Sequence, residues 1–201
     1  HGEVDTPAFM PVGTQGTVKG MKPGEVWDLG ARMILANAYH LSLRPGVEVI
    51  AELGGIHRFM GWKGAVLTDS GGYQILSLAP LRKVTDAGVE FRSHLDGAKL
   101  FLTPESVVDM QDRMGVDVLM PLDECPPADA SRAVVEEAMR RTLDWAGRSR
   151  ARRLPPGRLL FGMAERSFLT GDQEWFQRHR ERLQAAADWI IRQRNSYMQQ
   201  V

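Results

Sequence analysis

Short apolar runs recur along the chain, and each ends in polar or ring-bearing residues. Met33-Ile34-Leu35-Ala36 leads into Asn37, Tyr39 and His40, and Ala65-Val66-Leu67 leads into Asp69. Val116 to Leu122 leads into Asp123, Glu124 and Cys125, and Leu159-Leu160-Phe161 leads into Gly162 and Met163. Helical patterns lie between them. One covers Pro45 to Leu53 and is closed by Gly54-Gly55. Another opens with Thr103 as N-cap and Pro104 at the first helical position, and Gly115 follows its end. A third covers residues 131–150, with Val134, Val135, Ala138, Leu143 and Trp145 as its apolar members. Buried short strands alternating with helices predict a parallel sheet covered by helices.

Residues 84–102 interrupt that rhythm. Val84, Val89-Glu90-Phe91 and Leu100-Phe101-Leu102, with turns at Ala87-Gly88 and Asp96-Gly97, predict an inserted β-hairpin. The opening 20 residues, with Pro7, Pro11 and Gly13, read as extended or hairpin structure. Near the other end, Thr170-Gly171-Asp172-Gln173 can serve as a capping box. It opens a helix from about Asp172 to Tyr197, with Phe176, Leu183, Ala187, Ile190 and Ile191 near helical spacing. That spacing predicts a helix packed on the sheet, with Arg178, Arg180, Arg182, Arg192 and Arg194 mostly on its solvent side.

Chemical side chains gather where the strands should end, the edge that carries the site in both barrel and doubly wound parallel sheets. Thr68-Asp69-Ser70-Gly71-Gly72-Tyr73-Gln74 places a carboxylate, a hydroxyl, two glycines, an aromatic ring and a carboxamide within seven positions. A flat polar heterocycle needs such a set: a ring to stack on, a carboxylate and an amide to read its edge, and glycines that let backbone approach. The same residues are good turn chemistry, so a tight turn after a strand is the competing reading. Asp69 and Asp123 come from different strands yet would face one mouth. There they can bind the donor edge of a purine-like base or share acid and base duties. The competing reading makes each an N-cap.

At 201 residues, 43% hydrophobic and 25% charged, the chain has the composition of one globular domain or part of a larger protein. Its formal net charge is zero, so no global field draws it to nucleic acid. Arg148, Arg150, Arg152, Arg153 and Arg158 could still form a local basic patch, or a solvated surface segment. Cys125 is the only cysteine, which excludes an intramolecular disulfide and a thiolate zinc cage. This usage fits a reducing cytoplasmic setting. The polar start His1-Gly2-Glu3-Val4-Asp5 carries no signal-peptide pattern, and no apolar run approaches the roughly 18–20 residues that cross a bilayer. His1 is not a methionine, which suggests that the chain begins inside a longer protein or follows processing. His40, His57 and His94 lack a paired H-x-H spacing, so a metal-dependent amidohydrolase barrel ranks low, as does a lyase. His40 is expected to be a packed, hydrogen-bonded residue.

Several motifs in order carry a resemblance. They are Thr6-Pro7 with Phe9-Met10-Pro11-Val12-Gly13-Thr14, then Asn37-Ala38-Tyr39-His40-Leu41, Leu43-Arg44-Pro45-Gly46, Phe59-Met60-Gly61-Trp62 and the Thr68–Gln74 stretch. Ser93-His94-Leu95-Asp96-Gly97, Leu102-Thr103-Pro104-Glu105 and Asp123-Glu124-Cys125-Pro126 complete the set. From about His1 to Met163 the chain resembles the tRNA-guanine transglycosylases, also called queuine tRNA-ribosyltransferases. The resemblance implies a TIM-type (β/α)8 barrel that exchanges guanine at the tRNA anticodon wobble position for a 7-deazaguanine, the step that leads to queuosine. It implies a carboxylate nucleophile on the ribose and a covalent enzyme–RNA intermediate. Carried over by position, Asp69 is the base-contacting general acid/base, Ser70, Gly71 and Gly72 line the base pocket, and Tyr73 stacks on the base. Asp123 reads the heterocycle edge, and Cys125 is a pocket-wall thiol rather than a nucleophile. The Asp-Glu-Cys form resembles bacterial members.

The departures matter as much. Gly162 is followed by Met163-Ala164-Glu165-Arg166, and the family's base-binding Gln does not align there. No segment matches the family's Gly-Gly-Leu loop or the Asp-Cys…Pro-Thr-Arg region that supplies its nucleophilic aspartate. The family's structural zinc site needs several cysteines, so no cofactor is expected here. The expected organisation is residues 1–163 as about the first half of the barrel and 164–201 as a divergent, mostly helical segment. A full barrel takes roughly 250 residues. A half-barrel of about four strands leaves an open edge and an apolar face, and predicts self-association or poor stability. Expected partners are tRNA and a guanine or 7-deazaguanine base, with a homodimer or a partner subunit possible and no membrane. The alternative function is a non-catalytic partner subunit or base- and RNA-binding fragment.

Overall fold

The structure, a computed structural model, describes residues 1–72, 74, 82–127, 129–156 and 158–160. Tyr73, the run from Phe161 to Met163, and the helix expected over Asp172–Tyr197 lie outside the described residues. In chain order the elements are α1 (Pro23–Asp28), β1 (Met33–Asn37), α2 (Ala38–Leu43), α3 (Val47–Glu52), α4 (Ile56–Met60) and β2 (Ala65–Asp69). Then come β3 (Lys83–Thr85), β4 (Gly88–Arg92), β5 (Lys99–Leu102), α5 (Pro104–Met114), β6 (Val118–Leu119), α6 (Arg132–Arg150) and β7 (Leu159–Leu160). Among the described residues no helix is long and apolar enough to cross a membrane.

The four apolar runs form one parallel sheet in the order β1-β2-β6-β7. Ile34, Ala36, Val66, Leu67 and Leu119 are buried in it, and helices cover them. The opening segment is extended rather than a hairpin. Gly13 N–H donates to Leu35 O, Leu35 N–H to Pro11 O and Asn37 N–H to Thr14 O, so residues 11–14 run beside β1. β6 is much shorter than the apolar run from Val116 to Leu122. A side chain explains this: Gln111 of α5 takes both backbone groups of Met120, at 2.9 Å and 2.8 Å, where a strand neighbour would otherwise stand.

Residues 83–102 form a three-stranded antiparallel sheet, β3-β4-β5, with both turns where the glycines place them. A second core packs it to the helices through Tyr39, Val89, Phe91, Val107, Leu122 and Trp145. Trp145 also donates its indole N–H to Asp86 O at 2.8 Å.

α5 shows how local sequence sets the frame. Thr103 Oγ1 accepts from Ser106 N–H and Ser106 Oγ accepts from Thr103 N–H, a reciprocal cap, while Gly115 at φ 78° closes the helix. Pro104, Val107, Val108, Gln111 and Met114 are buried at helical spacing. Its polar side carries Glu105, Asp109 and Asp112, which pair with Arg148, Arg152 and Arg158. Three of the five arginines in the Arg148–Arg158 run are therefore committed to an acidic helix face. α6 has the expected bounds, but Val134 and Val135 are 49% and 43% exposed, and its apolar stripe is buried at Ala138, Trp145 and Ala146.

Candidate functional site

The carboxyl ends of β1 and β2 lie side by side, with Asn37 in register with Asp69. Asn37 donates from Nδ2 to Asp69 Oδ2 at 2.7 Å, and its Oδ1 accepts from His40 N–H at 3.0 Å, which caps α2. Gln74 Nε2 adds a longer contact of 3.4 Å to Asp69 Oδ2. Among the described residues, Asp69 Oδ1 is buried without a hydrogen-bond partner of good geometry. Four residues past β6, Asp123 has both oxygens engaged. Ser70 Oγ donates to its Oδ1 at 3.0 Å and the Cys125 thiol donates to its Oδ2 at 3.0 Å. Ser70 Oγ in turn accepts from Gly72 N–H at 3.2 Å.

Two glycines make this closeness possible. Gly71 sits at φ 82°, and a Cβ there would come within 2.6 Å of Tyr39 Cβ. A Cβ on Gly72 would run into the Asp123 carboxylate and lie 2.7 Å from its backbone oxygen. Between these parts is a cavity of about 240 Å³ lined by Asp69, Ser70, Gly71, Gly72, Gln74, Met120, Pro121 and Asp123. A larger concavity of about 860 Å³ lies between the opening segment and α1, lined mainly by apolar residues together with Glu3, Asp5 and Arg32.

Electrostatics separate the residues of the small cavity by role. Burial pushes the Asp69 carboxyl up to about 6, and the charge of Asp123 adds to this. The nearby N–H groups of Ala38 and Gly71 and the Gln74 amide offset only part of the rise. Burial, its hydrogen bond to Asp123 and the charges of Asp123 and Glu124 push the Cys125 thiol up to about 12. The thiol therefore stays protonated and acts as a donor, unlike a nucleophilic cysteine. His40 packs edge-on against Tyr39 and His94, and burial followed by the neighbouring His94 holds it below the usual imidazole value. Tyr39 Oη meets His94 Nδ1 at 2.7 Å.

Of the residues singled out from the sequence, Asp69, Ser70, Gly71, Gly72 and Asp123 meet at this cavity, Cys125 stands behind Asp123, and Tyr73 lies outside the described residues. Sequence reasoning passed over Asn37 as a partner of Asp69, although it ends its apolar run just as Asp69 does. It also passed over Gln111, which is fully buried beneath the site. Gln111 Oε1 accepts from Thr68 Oγ1 at 2.8 Å and from Met120 N–H, while its Nε2 donates to Met120 O and Val107 O. That amide uses its whole hydrogen-bonding capacity to tie α5, β2 and the chain after β6 together. A lone Gln among apolar helix positions was the available signal.

The sequence model of the family described as queuine tRNA-ribosyltransferase matches residues 1–173, ten residues past Met163. The chain is similar to the queuine tRNA-ribosyltransferase of Desulforudis audaxviator, 61% identical over 151 residues, which cover 75% of this chain and 41% of that protein. It is 53% identical to that of Symbiobacterium thermophilum over 168 residues, 83% of this chain and 42% of the relative. It is 52% identical to that of Solidesulfovibrio magneticus over 172 residues, 84% of this chain and 46% of the relative. The chain spans less than half the length of these relatives. On this match the chain belongs to the queuine tRNA-ribosyltransferase family.

Proposed function

We propose that this chain carries the base-recognition half of a tRNA-guanine transglycosylase, which exchanges guanine at the wobble position of tRNA for a 7-deazaguanine. The observation that carries the reading is the Ser70–Asp123 hydrogen bond, which joins two strand ends around a cavity that also holds Asp69, whose carboxyl burial pushes up to about 6. Asp123 is held from behind by Ser70 and Cys125, and its remaining lone pairs can accept from the donor edge of a guanine-like base. The unpartnered Asp69 Oδ1 gains a partner when such a base enters. A carboxyl poised near neutrality can lend a proton to the departing base and take one from the incoming base. Tyr73 is assigned to stacking by resemblance. The family's nucleophilic aspartate has no counterpart in the motifs of these 201 residues, so the covalent step is assigned to protein beyond them. The strand order β1-β2-β6-β7 runs without reversal, which supports half of a (β/α)8 barrel with residues 83–102 inserted, rather than a doubly wound sheet. The family's cysteine-held zinc does not fit this chain, whose single thiol is already bonded to Asp123. A cytoplasmic setting follows from the proposed substrate.

The test is equilibrium binding of guanine and a 7-deazaguanine, with Asp69→Asn and Asp123→Asn each expected to weaken binding tenfold or more. Absence of base binding, or indifference to both substitutions, overturns the pocket assignment. A gel assay with tRNA should give no covalent RNA–protein adduct, and a robust adduct would place the nucleophile inside this chain. The partner-subunit reading loses its basic patch to the pairs on α5 and rests on the exposed Val134, Val135 and Met139. A clean monomer in sedimentation contradicts self-association, whereas co-purification with a full-length transglycosylase supports the partner reading and a monomer with turnover overturns it.

A further inference from the structure

Asp117 enters β6 at the edge of the sheet opposite Asp69 and Asp123. His1 Nδ1 lies 2.6 Å from its Oδ1, and His57 Nε2, from the first turn of α4, lies 2.8 Å from its Oδ2. The three donor atoms all lie within 4.8 Å of one another. The two imidazoles stack at 3.5 Å between centroids and 13° between planes. The His57 and Asp117 side chains are 11% and 13% exposed, whereas His1 is 41% exposed. We propose that His1, His57 and Asp117 form a binding site for a first-row divalent cation, zinc(II) above all, that fastens the opening segment to α4 and β6.

Two imidazole nitrogens and a carboxylate oxygen form a common three-ligand zinc set, with the fourth position left to water. The ligands come from three separate segments, so the ion would cross-link parts of the fold that share no strand pairing. The carboxylate is already oriented, because Asp117 Oδ2 also accepts from Val66 N–H at 2.8 Å, the kind of outer contact that fixes a metal-binding carboxylate. Stacked imidazoles do not both carry charge cheaply, and a bound cation removes that cost by taking the nitrogen lone pairs of two neutral rings. Donor atoms 2.6–2.8 Å apart are closer than the roughly 3.3 Å set by a tetrahedral ion with bonds of about 2.0–2.1 Å. His1, exposed and outside any helix or strand, moves out furthest to make room, and the His57 ring draws back from Asp117 by roughly half an ångström to match the same spacing. The set contains no cysteine and is unrelated to a thiolate zinc site.

The test uses the full 201-residue chain, freed of metal by chelator. It is titrated with zinc(II) against a competing chromogenic chelator and with cobalt(II) by visible absorption. One equivalent should bind, with the cobalt bands of a tetrahedral nitrogen–oxygen set, and zinc should raise the thermal midpoint. His1→Ala, which removes no buried group, and His57→Ala should each weaken binding tenfold or more and abolish the thermal shift, while His40→Ala should leave both unchanged. Absence of stoichiometric binding overturns the proposal, leaving a hydrogen-bonded clasp. So does binding that survives both substitutions, or binding that follows His40→Ala instead.

Discussion

Asp117 precedes β6 and Asp123 follows it, so the two edges of one parallel sheet can be compared through their carboxylates. At the Asp117 edge every oxygen is matched: Oδ1 by His1, Oδ2 by His57 and by Val66 N–H. Burial pushes Asp117 up, yet the His57 hydrogen bond, the Val66 N–H and the positive charge nearby hold it below the ordinary carboxyl value. At the other edge Asp69 is also buried, but the groups that bond to it are neutral, the Asn37 and Gln74 amides with the nearby N–H groups of Ala38 and Gly71, its Oδ1 has no well-formed hydrogen bond among the described residues, and a second carboxylate stands near. The same residue type in two buried settings ends on opposite sides of its usual pKa. Deeper burial raises Asp69, and charged rather than neutral partners lower Asp117, so burial and partners together separate a fastened carboxylate from one left near neutrality.

The largest expected effect comes from removing the support beneath the reactive edge. Gln111→Leu keeps the volume but leaves Thr68 Oγ1 and both backbone groups of Met120 without partners. At about 1–3 kcal/mol for each buried group left unpaired, the loss should reach about 3–5 kcal/mol in urea unfolding. A loss under about 1 kcal/mol would show that water or relaxation replaces the amide.

Next comes the cost of keeping Asp69 reactive. Its folded pKa of about 6 lies above the ordinary 3.8, so its contribution to stability is fully present below about pH 3.8 and is lost as pH rises through about 6. Asp69→Asn escapes that loss and can still accept from Asn37. The variant should therefore be more stable than the parent by on the order of 2–3 kcal/mol at pH 7.5 and nearly equal to it at pH 4. Unfolding curves at the two pH values decide this, and a variant less stable at pH 7.5 would place Asp69 with Asp117 as a fastening residue. A smaller effect is expected from Gly72→Ala, whose methyl meets the Asp123 carboxylate. Base affinity should fall about tenfold, near 1.4 kcal/mol, with a stability loss of about 1–2 kcal/mol because the methyl also crowds the Asp123 backbone oxygen.

The reactive edge was more legible in the sequence than the fastened one, for a physical reason. Apolar runs ending in Asp69 and Asp123 announce strand ends, and parallel strands bring their ends together, so one line of text implied a shared mouth. The cap of α5 was equally local, a Thr-Pro start and a Gly stop. The His1–Asp117–His57 contacts join residues 116 and 60 positions apart without a periodic signal, and H-x-H spacing misses ligands from separate segments. The Arg148–Arg158 run left a basic patch and a solvated segment both open, because charge along a sequence is counted without its partners. Glu105, Asp109 and Asp112 recur at helical spacing and neutralise it only once α5 and α6 pack. The first half of α6 carries apolar residues that the described fold leaves exposed, and periodicity cannot tell a buried stripe from an uncovered one.

The smallest effect is expected at Cys125, and it reports on the charge of its neighbour. Cys125→Ser keeps a donor to Asp123 and should change stability and base affinity by less than about 1 kcal/mol. A thiol pushed up to about 12 holds almost no thiolate at pH 8, so alkylation should run at least about a hundredfold slower than for a free cysteine. The hydrogen bond to Asp123 and that residue's charge follow burial as causes of the rise. Asp123→Asn removes the charge and should therefore speed alkylation, while Glu3→Gln, distant in sequence and unpaired with this thiol, should not. Fast alkylation of the parent chain would mean that Asp123 is not held from behind by the thiol, and would make Cys125 a candidate nucleophile.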